Sequence, residues 1–321
     1  MKAIRVHAFG GPEVLQLEDV PNLAPLQPGE VLVRVMAAGV NPYDTYMRAG
    51  AYGAANPVLP YTPGSDAAGI VESVGSEVDL APGQRVYTSG SISGAYAEYV
   101  VCKRSQVHLL PERISFAQGA GIFVPYFTAY RALFQLAVAK PGESVLIHGA
   151  SGGVGLAALQ FARASGIRTI GTAGSAEGLR LIRSQGVDHA VDHSSADYQK
   201  EILDLTSGSG VDVIVEMLAN ANLANDLKML DQRGRVVIVG SRGTVEINPR
   251  EIMLREAAVF GVFLWRVPEA DAAEIATAVH SGLESGALNP VIALELPLGS
   301  APEAHRRIME PGARGKIVLI P

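Results

Sequence analysis

A glycine-rich run between a predicted strand and a predicted helix is the strongest chemical signal in the sequence. Residues 145–155 read Val-Leu-Ile-His-Gly-Ala-Ser-Gly-Gly-Val-Gly. Missing side chains let the backbone approach a pyrophosphate, and the N–H groups at the helix N-terminus bind the anion. Gly152 and Gly155 keep the G-x-G-x-x-G spacing, whereas Ala150 stands at its first glycine. The run predicts a dinucleotide-binding turn.

The end of the next predicted strand bears on which dinucleotide binds. In NAD-selective sites an acidic residue about 20 positions on accepts hydrogen bonds from the ribose. Residues 156–176 contain no Asp or Glu. A 2′-phosphate would therefore meet no repelling carboxylate, and its candidate partners are Ser175, Arg180 and His193. Arg180 can equally be a solvated helix cation and His193 a loop histidine, so the missing acid is what favours NADPH over NADH.

Metal, nucleic-acid and membrane functions are not indicated. Apart from His189 and His193, which stand four positions apart, the seven histidines show no H-x-x-x-H spacing. The one cysteine, Cys102, lies in a strand-like run that predicts a small core residue. Net charge is −6 with scattered basic residues, so no nucleic-acid surface is expected. We find neither an 18-residue apolar run nor an export signal, and we expect a cytoplasmic protein without bound metal.

Two kinds of element must position these residues. Up to residue 124 the chain reads as short strands between Gly/Pro turns. After Pro141 strands and helices alternate, which favours an α/β fold with a doubly wound parallel sheet of six strands. A later helix and the last strand are expected to rejoin the N-terminal part. The ranges predicted are strands 144–149, 168–172, 211–216, 235–239, 259–264 and 315–320, and helices 153–165, 176–184 and 270–283.

Five stretches, in order along the chain, resemble the zeta-crystallin family of quinone oxidoreductases, zinc-independent members of the medium-chain dehydrogenase/reductase superfamily. They are 39–46, 63–69, 148–155, 216–220 and 239–250. The resemblance implies NADPH-dependent reduction of quinones without zinc, in a cleft between two domains. Those domains would be a β-rich, GroES-like catalytic domain (1–124 and 266–321) and a Rossmann NADPH-binding domain (125–265).

Zinc-containing dehydrogenases of this two-domain pattern carry Cys after a Gly-Val pair and a Gly-His-Glu sequence further on. Here Asn41 follows Gly-Val, and Gly64-Ser65-Asp66 replaces Gly-His-Glu. Electrostatic stabilisation by amide and hydroxyl groups would then replace the Lewis acid. The resemblance assigns four residues to the nicotinamide and substrate pocket: Asn41, Tyr46, Tyr52 and Thr128.

Without the resemblance, Asn41 reads equally well as a turn residue and the two tyrosines as amphipathic interface residues. Asp44 is expected to be a helix cap rather than a base. Lys316 is expected either to approach the cofactor or to be a surface cation. The cofactor contacts implied by the resemblance are Ser151, Gly152, Gly153 and Val154 at the pyrophosphate, Ser175 and His193 at the ribose, and Asn220, Gly240 and Ser241 at the nicotinamide half.

Several alternatives stay open at this point. Relatives carry Arg where this chain has Ser194, which leaves the strength of the NADPH preference undecided. Hydride transfer and one-electron transfer giving a semiquinone are both compatible with the sequence. An enone or 2-enoyl-thioester reductase with Tyr46 as proton donor, or a non-catalytic soluble or RNA-binding role, are competing functions. The apolar run 257–265 suggests an edge strand that forms a homodimer or homotetramer.

Overall fold

Strands and short helices account for most of the computed structural model, which describes residues 1–21, 23–312 and 314–321. The strands are β1 (Lys2–Arg5), β2 (Gln16–Asp19), β3 (Glu30–Val40), β4 (Asp66–Val74), β5 (Arg85–Ser89), β6 (Tyr99–Lys103), β7 (Val107–Leu109), β8 (Ser144–Ile147), β9 (Arg168–Ala173), β10 (His189–Asp192), β11 (Val211–Glu216), β12 (Leu230–Ile238), β13 (Ala258–Gly261), β14 (Ile292–Pro297) and β15 (Lys316–Ile320).

The α-helices are α1 (Pro42–Arg48), α2 (Phe116–Gly119), α3 (Thr128–Tyr130), α4 (Gly153–Ala164), α5 (Ala176–Ser184), α6 (Tyr198–Leu205), α7 (Ala219–Met229), α8 (Pro249–Arg255), α9 (Glu269–Ser285) and α10 (Ala301–Arg307). Two π-helical turns, Phe123–Phe127 and Arg131–Leu136, flank α3. Short 3-10 turns lie at Pro12–Val14, Gly53–Ala55, Arg104–Gln106, Leu264–Arg266 and Leu298–Ser300. Within the described ranges, no helix is long and apolar enough to cross a membrane.

The chain divides into two units. The first contains residues 1–124, 289–310 and 315–321, and the second contains 125–288 and 311–314. The sequence prediction had assigned 266–288 to the first unit, and α9 corrects it. Asp271 of α9 pairs with Arg131 at 3.0 Å, and Glu274 accepts a hydrogen bond from Tyr130 at 2.9 Å. These contacts place α9 with the second unit.

The second unit is built on a parallel sheet of six strands in the order β10-β9-β8-β11-β12-β13. Every residue of β8 is buried, as expected for a central parallel strand covered on both faces. The strand order reverses beside β8, and ligands of such sheets bind outside the carboxyl ends of the strands at that point. The predicted α/β fold with a doubly wound six-stranded sheet is confirmed.

The first unit is β-rich. Its main sheet runs β14-β15-β3-β4-β5-β7, with β6 also paired to β3, and β1 and β2 form a separate antiparallel ribbon. All pairs of the main sheet are antiparallel except β14 with β15. Ile317 pairs with Val40, and Asp66 pairs with Gly39. The ends of β15, β3 and β4 therefore meet at one place in the sheet.

Candidate active site

The predicted dinucleotide turn connects β8 to α4. Gly149 has φ +56°, and Gly152 precedes α4 without a side-chain cap for its first-turn N–H groups. A Cβ on Gly155 would lie 2.6 Å from the Cα of Ala150 and from the carbonyl oxygen of Gly149. The turn therefore packs too tightly for a side chain at 155. Its uncapped first-turn N–H groups and the positive end of the α4 dipole fit an anionic pyrophosphate.

Ser151, Gly152, Gly153 and Val154 lie together on this turn and the first residues of α4. Ser151 is buried, and a Cβ on Gly153 would come within 3.3 Å of the Pro125 ring. The structure thus brings the four predicted pyrophosphate contacts into one short segment.

The end of β9 has a small and neutral surface, as predicted. Ser175 caps α5 by accepting a hydrogen bond from the Gly178 N–H at 3.1 Å. The His193 ring lies against Gly174, and a Cβ added to Gly174 would come within 2.5 Å of its Nε2. Burial, together with the charge of His148, lowers the pKa of His193. Ser175 and His193 therefore flank the same glycine at this strand end.

Arg180 is an exposed partner of Glu177, at 3.3 Å, so its side chain lies in solvent on α5. A second cation, missed in the sequence, acts on the same carboxylate. The pKa of Glu177 is lowered chiefly by a backbone hydrogen bond, with further contributions from Arg180 and Arg314. Arg314 comes from the Pro-Gly-Ala-Arg-Gly segment, where flanking glycines signalled only a turn.

Asn220, Gly240 and Ser241 converge at the carboxyl ends of β11 and β12. The Asn220 side-chain oxygen accepts hydrogen bonds from the Arg242 N–H at 2.7 Å and the Ser241 hydroxyl at 3.5 Å. The Ala219 N–H donates to the Gly240 carbonyl at 2.9 Å. The two loops are thereby tied together beside the dinucleotide turn of the neighbouring strand β8.

In the first unit, Asn41 belongs to a buried polar group that the sequence did not reveal. Its Nδ2 donates to Asp66 Oδ2 at 3.2 Å, and its Oδ1 accepts from Lys316 Nζ at 2.5 Å. Lys316 Nζ also lies 2.6 Å from Asp66 Oδ2. Lys316 is 4% exposed, so the expectation of a surface cation is wrong. The ammonium and the carboxylate fix the orientation of the Asn41 amide.

Asp44 extends this network away from Asn41. It occupies the third position of a capping box with Asn41, whose backbone N–H donates to Asp44 Oδ2 at 2.8 Å. The Tyr96 hydroxyl donates to the same oxygen at 3.1 Å and lies 3.2 Å from His305 Nε2. Burial, and then the charge of Asp66, raise the pKa of Asp44 to about 7. The predicted capping role of Asp44 is seen, in surroundings that favour its protonated form.

Three tyrosines gather beside α1. The rings of Tyr43 and Tyr52 are 5.3 Å apart, and Tyr46 raises the pKa of Tyr52 further after the larger effect of burial. Tyr43 was missed because the sequence resemblance pointed only to the other two. Thr128, the fourth predicted pocket residue, is buried at the start of α3 in the second unit.

One further cluster was not predicted. Among the side chains of the described ranges, His148, Glu216 and Asp226 are the only His, Cys, Asp or Glu group close enough together to hold a metal ion.

Cys102 is buried in β6, and burial raises the pKa of its thiol to about 12, as expected of a core residue.

Comparison with known proteins assigns both units. Residues 27–112 match the alcohol dehydrogenase GroES-like domain and residues 153–280 match the zinc-binding dehydrogenase family. The quinone oxidoreductase of Homo sapiens is 48% identical over 322 residues, covering 100% of this chain and 98% of that protein.

Two solved structures have the same fold over their whole length. An NAD-dependent alcohol dehydrogenase superposes with a TM-score of 0.93 at 31% identity, and both chains are covered completely. The Escherichia coli quinone oxidoreductase complexed with NADPH gives a TM-score of 0.87 at 31% identity, again with both chains fully covered. The chain is therefore an oxidoreductase and belongs to the quinone oxidoreductase, or zeta-crystallin, family of the medium-chain dehydrogenase/reductase superfamily.

Proposed function

We propose that this protein catalyses the NADPH-dependent reduction of quinones without zinc. The observation that carries the cofactor choice is the end of β9, where Thr172, Ala173 and Gly174 lead into Ser175 with no carboxylate. A ribose 2′-phosphate meets hydroxyl, imidazole and guanidinium groups there instead. The relatives named quinone oxidoreductase support the substrate class.

The residues present fit a dinucleotide. The N–H groups of Gly153 and Val154, with the Ser151 hydroxyl, would hold the pyrophosphate. The Gly152 N–H donates to the Gly149 carbonyl at 3.0 Å, so Gly152 would contribute a close backbone approach instead. Ser175, His193 and the cations Arg180 and Arg314 would face the 2′-phosphate. Asn220, Gly240 and Ser241 would bind the nicotinamide half. Bound NADPH supplies reducing equivalents from its nicotinamide ring, and the protein supplies orientation.

Asn41, Tyr46, Tyr52 and Thr128 are proposed to contact the quinone. One hydrogen of Asn41 Nδ2 is used by Asp66, which leaves the other for a substrate oxygen that gains negative charge. The orientation is maintained by Lys316, whose charge also favours an anionic product nearby. Tyr46 and Tyr52 offer hydroxyl donors and aromatic faces for a flat ring.

The donor set does not fit a catalytic zinc at Asn41. Catalytic zinc binds thiolate, imidazole and carboxylate groups. Here an amide stands at 41, and the Lys316 ammonium already takes the oxygens of both Asn41 and Asp66. We therefore propose a zinc-free reaction. Elemental analysis of active protein should find less than one tenth of an equivalent of zinc, as an order-of-magnitude limit, and treatment with 1,10-phenanthroline should leave the rate unchanged.

The electron count of the reaction is open to direct test. Hydride transfer yields the fully reduced quinone, whereas one-electron steps release a radical that reacts with oxygen. Oxygen uptake during turnover with 1,2-naphthoquinone, suppressed by superoxide dismutase, would support the one-electron route. Its absence would support hydride transfer.

We also propose that the protein is a homo-oligomer assembled through β13. This strand lies at the edge of the six-stranded sheet, and Val259, Phe263 and Trp265 on or after it are 37%, 42% and 39% exposed. An apolar edge strand is a ready site for pairing with a second copy. Light scattering should give a dimer or tetramer mass, and a monomer mass at working concentration would remove the proposal.

The cofactor assignment is tested by titrating the protein with NADPH and with NADH while following nicotinamide fluorescence. The proposal predicts tighter binding of NADPH. The variant Ser194→Arg, which adds a guanidinium next to His193, should strengthen NADPH binding and leave NADH binding unchanged. Equal affinity for the two nucleotides in the natural protein would contradict the NADPH preference.

A further inference from the structure

Three titratable side chains converge in the interior of the second unit without a role in the mechanism above. His148, Glu216 and Asp226 are 3%, 0% and 0% exposed. His148 Nε2 lies 2.9 Å from Asp226 Oδ1 and 3.7 Å from Glu216 Oε2. Asp226 Oδ2 is buried and finds no hydrogen-bond donor among the described residues. A buried carboxylate oxygen without a donor is costly, so a partner for it is expected.

Glu216 links this cluster to the loop that follows β11. Its Oε1 accepts hydrogen bonds from the Leu218 N–H and from Asn222 Nδ2, the latter at 3.1 Å. Asn220, one of the proposed nicotinamide contacts, lies between these two donors in the chain. The Glu216 carboxyl group thus holds both ends of the segment 218–222.

His148 links the cluster to the dinucleotide turn. It immediately precedes Gly149, and its Nδ1 lies 3.4 Å from Thr172 Oγ1. The same hydroxyl accepts a hydrogen bond from the Gly149 N–H at 3.3 Å and lies 3.1 Å from His193 Nδ1. The cluster therefore contacts the carboxyl ends of β8, β9 and β11, where the proposed cofactor contacts begin.

The charges of the cluster balance only if it holds an extra proton. An imidazolium on His148 with two ionised carboxylates would leave one uncompensated negative charge in the interior. Burial and the neighbouring Asp226 raise the pKa of Glu216 to about 7, against the effect of His148. Burial lowers the pKa of His148, but Asp226 and Glu216 outweigh it and the pKa is raised. A proton on Glu216 makes the cluster neutral and supplies a donor close to Asp226, since ligand atoms of the three side chains lie within 4.8 Å of one another.

We propose that Glu216 and Asp226 share one proton, and that this proton keeps the cluster neutral behind the dinucleotide turn while Glu216 still accepts hydrogen bonds from the 218–222 loop. The inference rests on the proposed cofactor function. Loss of the proton would place a net negative charge behind the turn that receives the pyrophosphate, and this charge would repel the bound anion. Cofactor affinity should therefore fall as pH rises through neutrality.

Other groups facing the cluster modify this behaviour without replacing it. Burial and the charge of His148 lower the pKa of His193, which follows β10. The Tyr198 ring of α6 lies 6.5 Å from the His148 ring. Asn222 and Thr172 are neutral. A metal ion is the competing occupant, but Asn222 already donates to both oxygens of Glu216, and the His148–Asp226 distance is that of a hydrogen bond.

The test compares the natural protein with Glu216→Gln, whose amide can donate permanently to Asp226 Oδ2 while its oxygen accepts from the loop. The Kd for NADPH is measured by nicotinamide fluorescence between pH 6 and pH 8. Over this pH range the Kd of the natural protein should rise about threefold more than the Kd of the variant. This factor corresponds to a pKa of the cluster that differs by about half a unit between the free and the NADPH-bound protein. Ionisation of the 2′-phosphate affects both proteins equally and cancels.

Glu201→Gln on the exposed face of α6 is the matched control and should keep the natural pH dependence. An unchanged pH dependence in Glu216→Gln would overturn the inference, as would one equivalent of tightly bound metal in the natural protein. Absence of NADPH binding at every pH would instead refute the proposed cofactor function.

A measurement that does not involve the cofactor tests whether the Glu216–Asp226 pair carries a proton. Infrared difference spectra between the natural protein and each variant near pH 6 should show the carbonyl band of one buried, protonated carboxyl; the band of protonated Asp44 is common to all the proteins and cancels. The band should be lost in Glu216→Gln and, if that variant does not fold, in Asp226→Asn, where an amide replaces the shared proton. Retention of the full band in the folded variant would show that the proton lies elsewhere.

Discussion

Lys316 and Lys200 form ion pairs of the same length in opposite surroundings. Lys316 Nζ lies 2.6 Å from Asp66 Oδ2, and Lys200 Nζ lies 2.6 Å from Asp204 Oδ2. The side chains of the first pair are 5% and 0% exposed, and those of the second are 74% and 65% exposed. Distance is therefore matched, and burial is the variable that a pair of substitutions can isolate.

Lys316→Met should be strongly destabilising because it leaves the Asp66 carboxylate buried without a cation. Removing one partner of a buried pair costs about 3–5 kcal/mol. Asp66 keeps two neutral donors, Asn41 Nδ2 and the Val124 N–H, each at 3.2 Å. We therefore expect a loss near the lower end, about 3 kcal/mol. Lys200→Met should cause no measurable loss because its pair is exposed to solvent.

The assay is urea unfolding followed by far-ultraviolet circular dichroism, with the free energy of unfolding compared among variants. The double variant Lys316→Met/Asp66→Asn should recover most of the loss, since neither charge of the pair remains. Where Lys316→Met folds, its turnover with quinone should fall about tenfold or more because Asn41 loses its fixed orientation. Equal stability of the Lys316 and Lys200 variants, or no recovery in the double variant, would show that Asp66 does not depend on Lys316 for charge compensation.

Three further predictions concern single positions. Gly155→Ala should weaken NADPH binding by about tenfold or more, because its Cβ would lie 2.6 Å from Ala150 Cα; Gly261→Ala, which meets nothing within 4 Å, should bind normally in the same fluorescence titration. The raised pKa of Asp44, about 7 against an ordinary 3.8, means that the folded state holds this proton more tightly than the unfolded state. Its contribution to stability should be lost as pH rises from about 4 through 7, and urea unfolding of Asp44→Asn across that range should show a flatter profile. Cys102, with a thiol pKa raised to about 12, should react with a thiol-specific disulfide reagent only after unfolding in urea; rapid reaction of the folded protein would contradict its burial.

The local part of the second unit could be predicted because its signals are local. Periodicity and glycine spacing placed the helix 176–184 at the residues where α5 lies and the helix 153–165 within one residue of α4. The strand predicted at 259–264 is shorter and lies at Ala258–Gly261. Its apolar continuation instead forms the 3-10 turn Leu264–Arg266, and apolar composition alone does not distinguish these conformations.

The polar clusters could not be predicted because their contacts are long-range. Lys316 reaches Asn41 across 275 positions, through the pairing of β15 with β3. Similarly, Asp226 reaches His148 across 78 positions. A lysine after glycine in the sequence does not reveal that a sheet will bury it beside an aspartate. The same limit explains why the sequence prediction assigned α9 to the wrong unit, since Asp271 of α9 contacts Arg131 across 140 positions.

The most direct test of zinc-free quinone reduction by this protein is the rate of NADPH oxidation by 1,2-naphthoquinone, measured beside the rate with a crotonyl thioester. With protein freed of metal by a chelator, we expect rapid oxidation with the quinone, little with the thioester, and a marked loss of the quinone rate in Asn41→Ala. A clear preference for the thioester, or a quinone rate that returns only when zinc is added, would contradict this expectation.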